Sequence, residues 1–321
     1  MLALTTYAQA ADEVFVDIEE SKPFDFSLGA IILGRSGSGG TVLLDSDGTP
    51  VATSSNDLVP SLGLDAKASA ELTNSLSLSA RAIATFSLEQ SDSGEVSPTN
   101  APPGLGFSDF DGSGNNGLFN PPDYGFKVDS SSSLTSLEAN LSYDLGVAPV
   151  SVFVGGRYVS LDDELDLLIT TEQFGAASNR TLLETNNDLF GAQIGLMVEA
   201  PDTGTRFSGY AAGSVGYYAG NANLNVGSSG LVLFTTAPGD IVTSTTASES
   251  FNTFGADFEI AGSYQITERA DFTLGYKLMY FDKVAYTVPS LGLSDSTGTF
   301  ADIGYDSVIY HGLTARLSLK F

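Results

Sequence analysis

Over residues 308–321 the chain reads V-I-Y-H-G-L-T-A-R-L-S-L-K-F. Counting back from the end, Phe321, Leu319, Leu317, Ala315 and Leu313 are apolar, while Lys320, Ser318, Arg316, Thr314 and Gly312 between them are polar or small. A period of two predicts a strand with one greasy and one wet face. The same pattern predicts strands at 24–34, 61–72, 75–88, 133–145, 150–170, 187–199, 206–219, 251–266 and 270–281, with no helical segment between them to cover the apolar faces. Greasy strand faces without a protein partner point to lipid, and strands can cross lipid only as a closed barrel. The fold class expected is therefore all-β: an antiparallel up-and-down transmembrane β-barrel of about ten strands.

The connections support that count. Long polar segments at 35–60, 89–132, 171–186, 220–250 and 282–306 alternate with short links at 73–74, 146–149, 201–205 and 267–269. In bacterial barrels the short turns face the periplasm and the long loops face outside, so both termini are expected on the periplasmic side. A count of 12 stays open if residues 220–250, with apolar Leu231 to Phe234, conceal a hairpin. Outward aromatics form two groups. Phe24, Phe26, Tyr143, Phe207, Tyr264, Phe272 and Phe321 lie near the short-turn ends, and Phe86, Phe190, Tyr217, Phe254 and Tyr280 near the long-loop ends. Two girdles at headgroup level are the expected arrangement.

Composition changes the picture in three ways. Charged residues are only 16%, below the roughly 25% of soluble domains. No apolar run of about 18 residues occurs, which excludes a transmembrane helix. Cysteine is absent, so disulfide and thiol chemistry are excluded. The formal charge of −26 makes nucleic acid and anionic surfaces poor partners; it fits a cation-attracting surface or simply solvated acidic loops. Residues 1–11 resemble the tail of a secretion signal, with Ala8-Gln9-Ala10 as a small-residue cleavage site. The expected organisation is thus a residual signal at 1–11 and one barrel domain at 12–321.

Inward-facing residues carry the candidate chemistry. Lys67, Arg81, Glu138, Arg157, Gln193, Glu259, Lys277 and Arg316 each lie about five to seven residues from the periplasmic end of their strand, so they are expected in one mid-barrel layer. Buried charge demands partners or water. Two readings of the layer stay open: a selective pore-lining constriction, or a salt-bridged plug that rigidifies a narrow barrel. Asp109, Asp111 and Ser113 in S-D-F-D-G-S-G-N have the alternate oxygen ligands of a calcium turn, although no Glu stands twelve positions along. Calcium is the one cofactor this leaves open. Asp162, Asp163, Glu164 and Asp166 form either a cation-attracting rim or a solvated strand end. The single histidine, His311, falls on the apolar face, which gives histidine-based catalysis no constellation. No enzyme activity is expected.

An aromatic last residue after strict alternation resembles the closing strand of bacterial outer-membrane β-barrels. That resemblance implies an outer-membrane location and makes Phe321 an assembly signal read by the barrel assembly machinery. Within 134–199, S-L-E-A-N-L-S-Y-D-L, V-F-V-G-G-R-Y-V-S-L-D-D-E-L-D-L and N-N-D-L-F-G-A-Q-I-G resemble the porin families related to the Legionella-type major pore-forming outer-membrane protein and the planctomycete barrel porins. Their recurring Glu-x-Asn, Gly-x-Arg-Tyr and Asn-x-x-x-Gly-x-Gln strands fall on Glu138 and Asn140, on Gly155 to Tyr158 with Glu164, and on Asn187 with Gly191 and Gln193. The resemblance implies a pore, and the function expected is a channel for passive diffusion of small hydrophilic solutes or ions, with the acidic charge giving some preference for cations. A non-conducting structural or adhesive barrel acting through its outer loops is the alternative. Partners implied are outer-membrane lipid and lipopolysaccharide, with a homo-oligomer left open.

Overall fold

The computed structural model describes residues 24–37, 40–44, 50–54, 58–96, 124–146, 149–171, 177–201, 204–231, 240–287 and 303–321. They form β1 (Phe24–Gly37), β2 (Gly40–Leu44), β3 (Pro50–Ser54), β4 (Leu58–Thr73), β5 (Leu76–Thr85), β6 (Leu88–Val96), β7 (Tyr124–Asp144), β8 (Val150–Thr171), β9 (Ala177–Glu199), β10 (Phe207–Leu231), β11 (Asp240–Thr267), β12 (Ala270–Ala285) and β13 (Tyr305–Lys320). β2 and β3 pair with each other. The remaining strands close a ring in the order β4, β1, β13, β12, β11, β10, β9, β8, β7, β5. β6 continues the β5 wall higher up and pairs with β7 there. The barrel therefore has ten walls. The leader-like residues 1–11 and the calcium-turn candidate lie outside the described residues.

Side-chain oxygens shape the short turns. Thr73, Thr205 and Thr267 each accept the backbone N–H two residues on through their hydroxyl, at 3.3 Å, and the Asp144 carboxylate does the same for Gly146 at 2.9 Å. Such local bonds satisfy turn backbone that no strand can reach. At the periplasmic end the first and last walls meet: Phe321 N–H donates to the Phe24 carbonyl at 2.9 Å, and the two rings lie 6.2 Å apart. The aromatic girdles are present. Phe207 stacks on Tyr264 in the lower ring and Tyr217 on Phe254 in the upper, both at 5.0 Å. Phe254 and Tyr264 are separated by about 33 Å of strand, which a tilt of about 40° reduces to about 25 Å, the height of an outer-membrane apolar band.

Segments read from sequence as loops are partly wall. Residues 177–186 belong to β9, and 220–231 and 240–250 extend β10 and β11, which stay paired from Phe207↔Tyr264 to Leu231↔Asp240. Among the described residues no extra hairpin arises there, and the ring closes through ten strands rather than 12. Part of 35–60 is likewise the β2–β3 hairpin and the ends of β1 and β4. The physical reason is that the sidedness of the strands reverses above the outer girdle. There Ala222, Leu224 and Val226 point inward and are buried, while Asn221, Asn223 and Asn225 between them are exposed. On β8, Leu161, Leu165 and Leu167 are buried and Asp162 and Glu164 exposed. The wall leaves lipid for water, and its apolar residues move to the inside.

Ile260 faces lipid midway between the girdles and is 52% exposed to it. Ile260→Arg is expected to lower folding stability by about 2–4 kcal/mol, measured by urea titration during refolding into phospholipid vesicles.

Candidate functional site

The layer expected at mid-barrel exists, and all eight of its residues point into the lumen. Adjacent walls bring them together in register: Lys67 faces Arg81, Arg81 faces Glu138, Glu138 faces Arg157, and Glu259 faces Lys277. Arg81 forks onto Asp65, its Nε donating to Oδ1 at 2.8 Å and its Nη2 to Oδ2 at 2.7 Å, while its Nη1 donates to Glu259. Arg316 closes the circuit, donating to Asp65 Oδ2 at 2.7 Å and to Glu259 Oε1 at 2.8 Å. Two guanidiniums and two carboxylates thus form one neutral cycle. Because β5 and β11 are five steps apart in a ten-walled ring, the Arg81–Glu259 bond is a chord across the lumen.

The rest of the layer grows from that cycle. Tyr210 donates its hydroxyl to Glu259 Oε1 at 2.5 Å and accepts from Arg316 at 2.6 Å. Arg157 pairs with Asp257 and donates from Nε to Ser136 at 2.9 Å. Lys277 lies between Asp257, at 3.7 Å, and Glu259, at 3.8 Å. Gln193 donates to Asn140 at 2.8 Å and to Glu138 at 3.3 Å. Lys67 stands outside these pairs, its ammonium 6.0 Å over the Tyr210 ring. Asp65 has no exposure and Arg157 only 1%, so bulk water contributes little to their solvation.

Asp65, Asp257 and Tyr210 were not placed in the layer by sequence reasoning. Asp65 and Asp257 sit one pleat above Lys67 and Glu259 on the same inward faces, and matching their height to the arginines would have found them. Of the residues of the family resemblance, Glu138, Asn140, Gly155, Arg157, Asn187, Gly191 and Gln193 face inward, while Tyr158 and Glu164 lie on the outer face of β8. A Cβ on Gly155 would come within 2.1 Å of the Ala139 carbonyl and Asn140 Oδ1, and one on Gly191 within 2.1 Å of the Tyr217 carbonyl. Glycine leaves room for the Asn140 side chain beside Gly155 and for the Tyr218 ring beside Gly191.

Below the layer a cup of about 390 Å³ reaches toward the periplasmic ends of the strands, with Ser69, Ser79, Asn140 and Ser142 in its wall. Above it the interior is mainly apolar, built from Ile31, Leu33, Ile83, Leu134, Val159 and Leu189 with Tyr218, Met279, Phe281 and Tyr310, and it encloses the Arg35–Asp163 pair and Asn187. The acidic run of β8 is divided. Asp163 points inward to pair with Arg35, Asp166 bonds Arg180 at 2.7 and 2.8 Å, and Asp162 and Glu164 are exposed. His311 faces lipid, where its Nδ1 shares a hydrogen bond of 2.8 Å with the Tyr276 hydroxyl.

Asp65 is the carboxylate on which both Arg81 and Arg316 depend. Asp65→Ala is expected to cost about 3–5 kcal/mol of stability by leaving buried guanidiniums short of a partner. Glu71→Gln, exposed lower on the same strand, is expected to cost less than about 0.5 kcal/mol. The temperature at which the folded band is lost in heat-modifiability gels separates the two.

Solved structures similar to this chain include outer-membrane proteins, at low identity. The outer membrane protease OmpT of Escherichia coli aligns at 10% identity over 93% of this chain and 97% of its own, with a TM-score of 0.48. The translocator domain of the autotransporter NalP from Neisseria meningitidis aligns at 9% over 95% and 90%, with a TM-score of 0.40. A FadL homologue of Pseudomonas aeruginosa aligns at 9% over 94% and 90%, with a TM-score of 0.34. No curated protein matches the chain in sequence. The family model described as "Putative beta barrel porin-7 (BBP7)" matches residues 121–289, more than half of the chain and including the inward Glu138, Arg157, Asn187 and Gln193. The protein is a channel-like β-barrel of the bacterial outer membrane and belongs to the beta barrel porin-7 family.

Proposed function

We propose that the barrel is a channel for small hydrophilic solutes or ions that rests closed, with the charged layer as its constriction, and that it has no catalytic role. The observation that carries this reading is the Arg81–Glu259 chord, which ties opposite walls together where a solute would pass. Polar open space below the layer and mainly apolar packing above it suit a hydrophobic gate in series with a selective ring. The non-catalytic part is supported by His311, which lies on the lipid side and away from every carboxylate of the lumen.

Cation preference belongs to the mouths of this channel. With Asp257 and Glu259 engaged by arginine and lysine, the charges left facing the periplasmic cup are Asp25, Glu71, Glu138 and Glu199 against Lys67. At the outer end Asp162, Glu164 and Glu184 are exposed on the outside of the wall, around a second hollow of about 410 Å³ above the girdle. Acidic charge in the periplasmic cup and on the outer sheath raises the local concentration of cations at both ends. The layer itself carries five cations against four carboxylates and adds nothing to that preference.

A second reading, a non-conducting adhesive barrel, is supported by the height of β10 and β11, which remain paired well beyond the outer girdle. Conductance in planar bilayers under a KCl gradient decides between them. The channel reading expects rare, brief openings of the native barrel, at least about tenfold more frequent openings in Arg81→Ala or Glu259→Ala once the chord is cut, and a cation-selective reversal potential. Silence from the native barrel and from both variants, each folded by heat-modifiability, leaves the adhesive reading.

A further inference from the structure

β12 parts from β11 before it ends: that pairing stops at Gly255↔Phe281, while pairing with β13 resumes at Val284↔Asp306 and Ala285↔Tyr305. Its register with β13 shifts between Phe281 and Val284, and the residues beyond turn toward the lumen: Val284, Ala285, Tyr286 and Thr287 are all buried. Ala285 meets Asn187 of β9, three walls away. The Asn187 amide donates from Nδ2 to the Ala285 carbonyl at 3.0 Å and accepts the Ala285 N–H on Oδ1 at 2.7 Å, and the Thr185 hydroxyl donates to the same carbonyl at 3.5 Å. One side chain therefore satisfies both backbone groups of a residue inside the barrel, standing in for a neighbouring strand.

The next residue is clamped from another direction. The Arg35 guanidinium of β1 lies 4.3 Å from the centre of the Tyr286 ring, and Arg35 is itself paired with Asp163 of β8, four walls from β1. The return of the chain is packed alongside: Tyr286 N–H donates to the Gly304 carbonyl at 3.0 Å, and Ile303 is buried in the same apolar core. On its β13 side this segment keeps backbone pairing, whereas on the side where β11 has ended it is held by side-chain bonds and one cation–π contact.

We propose that Val284–Thr287 is a stopper. It closes the outer half of the lumen, is latched by Asn187 and by the Arg35–Asp163 strap, and opens that half when it withdraws. The inference rests on the channel reading above and adds a second barrier in series with the charged layer. The state with the stopper withdrawn is a minor conformer whose population the latch sets. Solute or ligand contacts that favour withdrawal would act on that equilibrium.

The chain has no cysteine, so Ala285→Cys places a single reporter thiol on the stopper. A membrane-impermeant maleimide is expected to label it slowly in folded barrels, and Asn187→Ala or Arg35→Gln is expected to speed labelling by about tenfold or more, because reaction follows the opened population. Asn187→Asp keeps the acceptor for the Ala285 N–H and loses the donor, so it is expected to fall between. In planar bilayers, adding Asn187→Ala to Arg81→Ala is expected to lengthen openings beyond those of Arg81→Ala alone. If Arg81→Ala conducts while Asn187→Ala and Arg35→Gln change neither labelling nor open time in folded barrels, the stopper is overturned and the channel stands. If the latch variants speed labelling but no variant conducts, the channel reading falls and the gate falls with it.

Discussion

Charge enclosed where bulk water does not reach has to be paired, and most of this barrel's interior is arranged around that requirement. A ring of ten walls is narrow enough for an arginine rooted on one side to touch a carboxylate rooted on the other. Arg81 does so with Glu259 while forking onto Asp65, and Arg316 binds the same two acids from between them. Each carboxylate thereby accepts from two guanidiniums, and each guanidinium spends its planar fork on two acids. Lysine, a single point of charge, occupies the less demanding places: Lys277 between two acids at longer range, and Lys67 above an aromatic ring.

The ring, its closure and the height of the charged layer were legible because they follow from local rules. Period-2 alternation assigns sides, short turns supply a common origin for counting, and the eight residues so counted all face the lumen. What stayed hidden was pairing. Arg81 and Glu259 are 178 positions apart and Asn187 and Ala285 98 apart, and no alternation rule says which chord of a ring will form. The inner apolar core was hidden for a different reason. Its residues neighbour outward apolar ones, as in Ala30-Ile31-Ile32-Leu33 and Tyr217-Tyr218, so the strand reads as a uniformly greasy run rather than as two buried faces. Strand ends above the girdle were read as loops because a rule that looks for lipid-facing residues stops where lipid stops.

The residues that resemble known porin strands gain a shared physical purpose. Gln193 donates to both Glu138 and Asn140 from two walls away, Arg157 reaches on to Asp257, and Asn187 holds the backbone of Ala285. Gly155 and Gly191 keep the wall between them thin. Together they specify one side of the lumen, from the cup to the turn that closes it. The pattern is therefore one of interior packing, which alternation on the outer face does not generate.

The reversal of sidedness along β8 to β11 also acts as a depth gauge. Below the upper girdle a wall residue pointing out must be greasy, and above it the same position must be polar. Sliding the barrel outward by one pleat would draw Phe254 and Tyr217 into water, and sliding it inward would push Asn221 and Asp188 into hydrocarbon. Both displacements are uphill, so the immersion of the molecule is set by where its strands change character. The outer sheath, greasy within and wet without, is in that sense a soluble β-domain grown from the rim of a membrane one.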